Sequence, residues 1–197
     1  MQIVLASGSA IRHHLLTSAG VPHDLDPAKI DEVAMRDALA EEGATPRDIA
    51  DALAEAKARK VSGRHPKALV LGCDQTLDLE GTLLSKAETR EEAEAQIAAL
   101  SGRRHMLHSA IVAYEGHEPV WRHVGTVRLQ VRPLSAGYIT AYVARNWDSI
   151  RHSVGSYKLE EEGIRLFSAI EGDYFTVLGM PMLPLLSWLT VRGILAT

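Results

Sequence analysis

Hydrophobic and polar positions change their spacing several times along the chain, and each change predicts an element. Ile3-Val4-Leu5 is a short apolar run rich in β-branched residues, which predicts a strand. The small-residue turn Ser7-Gly8-Ser9 follows, and Ala10 to Ala19 reads as a helix stopped by Gly20. Thr45-Pro46-Arg47-Asp48 opens a second helix, with Thr45 as cap and Pro46 in the first helical position. Ile49, Leu53 and Lys57 then fall at i, i+4 and i+8, so a lysine shares the apolar stripe and needs a counter-charge. Ala68-Leu69-Val70-Leu71 predicts a strand covered on both faces and ending at Gly72-Cys73-Asp74.

Thr76 to Leu79 and Thr82 to Leu84 flank Glu80-Gly81 and read as a hairpin. Thr89 and Glu92 start a helix that Ser101-Gly102 stop after Leu100. Two longer strands are expected, His105 to Tyr114 and Val120 to Val131. The second ends in a clean alternation of Val127, Leu129 and Val131 with Arg128, Gln130 and Arg132. Ser135 to Arg145 reads as a helix with Tyr138, Ile139, Tyr142 and Val143 on one stripe. Ile164 to Ile170 and Phe175 to Leu178 are expected to close the sheet.

No residue between Asp173 and Arg192 is charged, a length near the ~20 residues of a membrane span. Thr176, Gly179, Pro181, Pro184 and Ser187 interrupt it, so it reads as a buried strand and then a packed helix from Met182 to Val191. No membrane partner is expected. Strands alternating with helices, with hairpins beside them, predict one mixed-sheet α/β domain over residues 1–197.

Composition narrows the function. Of 197 residues 46% are hydrophobic, and the net charge is −4, which disfavours broad nucleic-acid binding because that needs basic surface. A phosphorylated metabolite remains compatible, since only the local field at its site matters. One cysteine, Cys73, permits no intrachain disulfide, and the start lacks a basic region before a long apolar run, so a cytoplasmic protein is expected.

The first strand–turn–helix unit aims several backbone N–H groups at a helix N-terminus, which favours anions. Ser7 and Ser9 add hydroxyls and Arg12 a fixed charge; the competing reading has Ser9 as a plain cap and Arg12 solvated. Asp74, a carboxylate closing an apolar strand, needs compensation by a metal, a basic partner or a catalytic role, unless it is a turn residue bonding its own backbone. Asp31-Glu32 is a carboxylate pair suited to a hard cation. Lys86 follows the hairpin, and Glu160-Glu161-Glu162 reads either as a solvated patch or as functional. His105 and His108 project to opposite faces of one strand, and no cysteine set accompanies the histidines, so a zinc site is rejected. Cys73 reads as a buried residue rather than a nucleophile, and the three tryptophans read as scattered.

These pieces in order resemble the Maf family of nucleoside triphosphate pyrophosphatases. Leu5-Ala-Ser-Gly-Ser-Ala-Ile-Arg-His-His-Leu-Leu16 is similar to the family's L-A-S-x-S-P-R-R-x-x-L-L. Ala54-Glu-Ala-Lys-Ala58 is similar to its E-K-A helix, and Leu71-Gly-Cys-Asp-Gln75 to G-x-D-[TQ]. Ser85-Lys86, Leu100-Ser-Gly-Arg-Arg-His105, Gly155-Ser-Tyr-Lys-Leu-Glu160 and Ile170-Glu-Gly-Asp…Leu178-Gly-Met-Pro181 match later motifs.

The resemblance implies an elongated mixed twisted sheet flanked by helices, with two lobes and a cleft. It also implies hydrolysis between the α and β phosphates of a nucleoside triphosphate. Asp74 would activate water; Ser7, Ser9, Arg12, Lys57 and Lys86 would hold phosphates. Glu32 and Asp74 would place a divalent metal, Mg²⁺ or Mn²⁺, and a homodimer is the family expectation. Ile11, Gln75 and Glu160 match positions that separate substrate subgroups, and their identities lean toward 7-methyl-GTP. The alternatives are a dTTP/UTP pyrophosphatase, or a nucleotide-binding regulator of cell division with little turnover.

Overall fold

The computed structural model describes residues 1–196. In chain order its elements are β1 (Ile3–Leu5), α1 (Ala10–Ser18), β2 (Asp24–Leu25), α2 (Glu32–Glu41), α3 (Pro46–Ser62), β3 (Leu69–Leu79), β4 (Thr82–Leu84), α4 (Arg90–Leu100), β5 (Arg104–Glu115), β6 (Glu118–Val131), α5 (Ala136–Ile150), β7 (Phe167–Glu171), α6 (Tyr174–Val177) and α7 (Met182–Val191). Two 3-10 turns, Val154–Ser156 and Glu162–Leu166, link α5 to β7.

The strands form one seven-stranded sheet in the order β2-β1-β3-β5-β6-β7, with β4 pairing β3 off that path. Pairing is parallel among β2, β1 and β3, and antiparallel from β3 through β5 and β6 to β7. This is the mixed α/β sheet the pattern predicts.

At one end helices cover both faces. Val4, Val70 and Val112 pack beneath α3 through Ala50, Ala54 and Ala58. Leu5 and Leu71 pack on the opposite face against Leu16 of α1 and Leu185 and Leu189 of α7. At the other end Leu77, Leu107, Val127 and Leu129 meet Ile97 of α4 and Tyr142 of α5 in a second core. Strand β3 runs through both cores, and the junction along it positions the site.

Several expectations are corrected. The run from Ala68 does not end at Asp74: β3 continues unbroken to Leu79, and Asp74 sits mid-strand opposite Ala110. Phe175 to Leu178 is not a strand. Asp173 accepts hydrogen bonds from the Phe175 and Thr176 amides and winds Tyr174–Val177 into a short helix, which the sheet does not include. The last strand begins only at Phe167, because the preceding residues form a 3-10 turn, and α5 runs past Arg145 to Ile150. Helix α2 is not among the predicted elements; its short apolar stripe of Ala34, Met35, Ala38 and Leu39 buries no residue. The tryptophans are not all scattered, since Trp121 and Trp188 stack at 5.0 Å and fix α7 to β6. Among the described residues no helix is long and apolar enough to cross a membrane.

Candidate functional site

A gap beside β3 makes the site. Strand β1 pairs with Leu69–Leu71 and then stops, while β4 pairs only with Leu77–Leu79. Between them, Cys73 to Thr76 pair with β5 on one side and have no strand on the other. Backbone groups in such a gap need other partners. Arg12 supplies one: its Nη1 donates to the Cys73 carbonyl at 3.0 Å and to Ser7 Oγ at 3.3 Å, while Nε donates to the Gly179 carbonyl at 2.9 Å. The guanidinium thereby ties β3, the first turn and the segment before α7 together. Ser7 Oγ also accepts from the Ser9 amide at 3.2 Å. Ser9 occupies the cap position of α1 without a side-chain cap bond, so the plain-cap reading of its hydroxyl does not hold.

Lys57 finds the counter-charge that its place on the apolar stripe demands. Its Nζ lies 2.6 Å from Asp74 Oδ1 and 3.0 Å from Glu32 Oε2, with Lys57 6% exposed and Asp74 7%. The reach depends on Gly72. A Cβ there would stand 2.1 Å from the Ala54 carbonyl oxygen and 2.6 Å from the Ala58 nitrogen, so only glycine lets α3 lie this close to β3. Among the described residues no hydrogen bond reaches Asp74 Oδ2. Burial pushes the Asp74 carboxyl above its ordinary value, and the Lys57 and Arg12 charges pull against that rise.

The Asp31-Glu32 pair divides its work. Asp31 caps α2 by accepting from the Ala34 amide at 3.0 Å, and Glu32 alone turns to Lys57. Glu32 and Asp74 therefore converge on one cationic point. Two carboxylates of this kind suit Mg²⁺ or Mn²⁺, which take one or two protein carboxylates and complete their shell with phosphate oxygens and water. The donor set fits such an ion. Among the described residues no group of three or more His, Cys, Asp or Glu side chains is gathered for a metal.

The groups face a cleft of about 1100 Å³ that runs from the first turn to the loop after α5. Lys86 and Glu160, both exposed, line its far part and make no ion pair among the described residues. The three-glutamate run separates: Glu161 bonds Ser149 at 2.8 Å and Glu162 pairs with Arg145 at 2.7 Å, which leaves Glu160 free. Ile11 lines the cleft and packs against the core under α1. Gln75 donates from Nε2 to Ser109 Oγ and the Val177 carbonyl, both at 2.9 Å, and so pins α6 beside Asp74.

Sequence reasoning missed Arg36. It lines the cleft one helical turn after Glu32, and the i, i+4 spacing behind the Asp31 cap was the available signal. Counted together, Arg12, Arg36, Lys57, Lys86, Arg151 and Lys158 oppose Glu32, Asp74, Glu88 and Glu160, two positive charges in excess in a chain of net charge −4. The local field favours a polyanion.

The rejected candidates sit elsewhere. His105 shares a 2.7 Å hydrogen bond with Tyr157 Oη in the second core, and His108 lies on the other face near Thr126 and Asp78. Burial pushes the Cys73 thiol to about 11, unsuited to a nucleophile.

A family profile described as Maf-like protein matches residues 2–191. The chain is 61% identical over 195 residues to a protein of Ruegeria pomeroyi (strain ATCC 700808 / DSM 15171 / DSS-3) named nucleoside triphosphate pyrophosphatase, covering 99% of this chain and 98% of that one. It is 58% identical to a protein of the same name from Ruegeria sp. (strain TM1040), covering 98% and 97%. It is 49% identical to a protein of Rhizobium meliloti (strain 1021) named 7-methyl-GTP pyrophosphatase, covering 97% and 96%.

Proposed function

Because the chain belongs to the Maf family, we propose that it is a nucleoside triphosphate pyrophosphatase, a hydrolase that yields a nucleoside monophosphate and pyrophosphate, with 7-methyl-GTP as its preferred substrate. The observation that carries the reading is the buried Lys57 ammonium holding Asp74 and Glu32 together in the gap beside β3, with the positive end of α1 facing it.

Attack on the α phosphorus forms one O–P bond and breaks the bond to the oxygen bridging to the β phosphorus. Pyrophosphate leaves with that oxygen. The water proton goes to Asp74, whose Oδ1 is committed to Lys57 and whose Oδ2 has no partner among the described residues. Burial raises its proton affinity above that of an ordinary carboxylate, which suits it to accept that proton. Ser7, Ser9 and the amides of the first turn bind phosphate oxygens, and Arg12, Lys57 and Lys86 offset the charge that develops on them. Glu32 and Asp74 would hold the divalent ion, which when bound supplies further charge neutralisation at the phosphates.

The lean toward 7-methyl-GTP rests on Glu160 and Ile11. A free carboxylate at the far end of the cleft suits the cationic methylated base or the donor edge of guanine, and no arginine stands at position 11. It is supported by the likeness to a relative named for that substrate. The test is a panel of canonical and modified triphosphates with Mg²⁺ or Mn²⁺ and identified products. Pyrophosphate release, fastest from 7-methyl-GTP, is expected. Orthophosphate as the only product would refute the bond assignment, and equal turnover of 7-methyl-GTP, dTTP and UTP would refute the substrate.

A further inference from the structure

The far end of the cleft rests on two segments that are remote in sequence: Ser85-Lys86 after β4, and Ser153 to Glu160 after α5. One side chain touches both. Gln96, half-buried on α4, donates from Nε2 to the Ser85 carbonyl at 2.9 Å and accepts at Oε1 from the Ser156 hydroxyl at 3.3 Å. A primary amide is the fitting group, because it presents a donor and an acceptor on one short plane. A glutamate here would lose the donor that the carbonyl requires, and a leucine would lose both bonds.

The second segment has reason to need such a tie. Gly155 and Ser156 stand at φ +75 and +58, and Ser156 is fully buried although serine rarely adopts that conformation. A chain bent in this way has few regular backbone bonds of its own. Ser85 directly precedes Lys86, and Ser156 lies one short loop before Glu160. The two bonds of Gln96 therefore connect the segment carrying a phosphate cation to the segment carrying the base-facing carboxylate.

We propose that Gln96 is a positioning residue that couples these two arms, so that Lys86 and Glu160 register on one nucleotide. The inference rests on reading the cleft as a nucleotide site. Its structural half, the mechanical tie, is testable without any nucleotide.

The experiment compares wild type with Gln96→Leu and Ser156→Ala by amide hydrogen exchange and by kinetics. In the nucleotide-free protein, Gln96→Leu speeds exchange in residues 84–88 and 153–160 together, by about tenfold for one to two lost hydrogen bonds. Ser156→Ala breaks one of the bonds and speeds exchange in 153–160 alone. With substrate, Gln96→Leu raises KM more than it lowers kcat, and it shrinks the preference for 7-methyl-GTP over UTP about tenfold. Should Gln96→Leu fail to fold, Gln96→Glu keeps the acceptor and loosens 84–88 alone. Unchanged exchange of either segment in Gln96→Leu, or of 84–88 in Gln96→Glu, overturns the tie. A lowered unfolding midpoint with KM and preference unchanged shows a purely structural glutamine and overturns the positioning role. A wild-type protein that releases no pyrophosphate sinks the functional reading instead, and the paired exchange response still decides whether the tie exists.

Discussion

At the phosphate end of the cleft, Lys57, Asp74, Glu32, Ser7 and Arg12 bond one another or nearby carbonyls at 2.6 to 3.3 Å, mostly from within regular elements. At the end we assign to the base, Glu160 stands on a loop and carries no ion pair among the described residues. On the proposed function, the contrast follows from what each end would do. A triphosphate tail is the same in every nucleotide, so fixed charges can be arranged for it in advance and cost no reorganisation during reaction. Bases differ, and a loop-borne carboxylate can be tuned without disturbing the sheet. On this account, changes at the first end alter rate for every substrate, and changes at the second alter which substrate is chosen.

The largest expected effect breaks the first end. Asp74→Asn preserves size and removes the proton acceptor, and kcat should fall roughly a thousandfold for all nucleotides alike. Steady-state kinetics on at least two substrates measures it; a loss confined to one base would erase the distinction between the ends.

A smaller effect tests what anchors the base end. Burial holds His105 down at about 4, against 6.5 when exposed, and its ring bonds the Tyr157 hydroxyl. Below pH 6.5 the unfolded chain takes up a proton that the folded one refuses, so the stability contributed by this group is full above pH 6.5 and lost as pH falls toward 4. The loss should reach roughly 3 kcal/mol. Urea unfolding of wild type and His105→Gln across that window should show a steeper decline for wild type, and parallel curves would contradict it.

The smallest effect sharpens the comparison most. Glu160→Gln should move preference between 7-methyl-GTP and UTP by about tenfold, near 1.4 kcal/mol, with little change in the better kcat. Equal slowing of all nucleotides would make Glu160 part of the rate machinery.

The phosphate end was legible because each of its parts obeys a local rule. Lys57 on an apolar stripe demanded a carboxylate, and Asp74 after an apolar run demanded a cation; the structure pairs the two demands. What was misread was the reason. The apolar run suggests a strand end at Asp74, but β3 runs on, and the open space lies between Leu5 of β1, opposite Leu71, and Leu84 of β4, opposite Leu77. That gap is set by which strands pair, which no local window records. Helix α6 differs from the expected strand because so short a mainly apolar run fits a strand as well as a helix, and the Asp173 cap decides. Helix α2, and Arg36 with it, has only a short apolar stripe and the Asp31 cap as local signals. The charge run alone does not separate Glu160 from Glu161 and Glu162; the motif resemblance does, and in the structure α5 supplies partners for the other two.

The central claim is that water, with Asp74 as its base, attacks the α phosphorus of a nucleotide held at the phosphate end. Turnover in ¹⁸O-labelled water reads this directly by mass spectrometry of the products. The account predicts one labelled oxygen in the nucleoside monophosphate and none in the pyrophosphate; label in the pyrophosphate, or in orthophosphate, would contradict it.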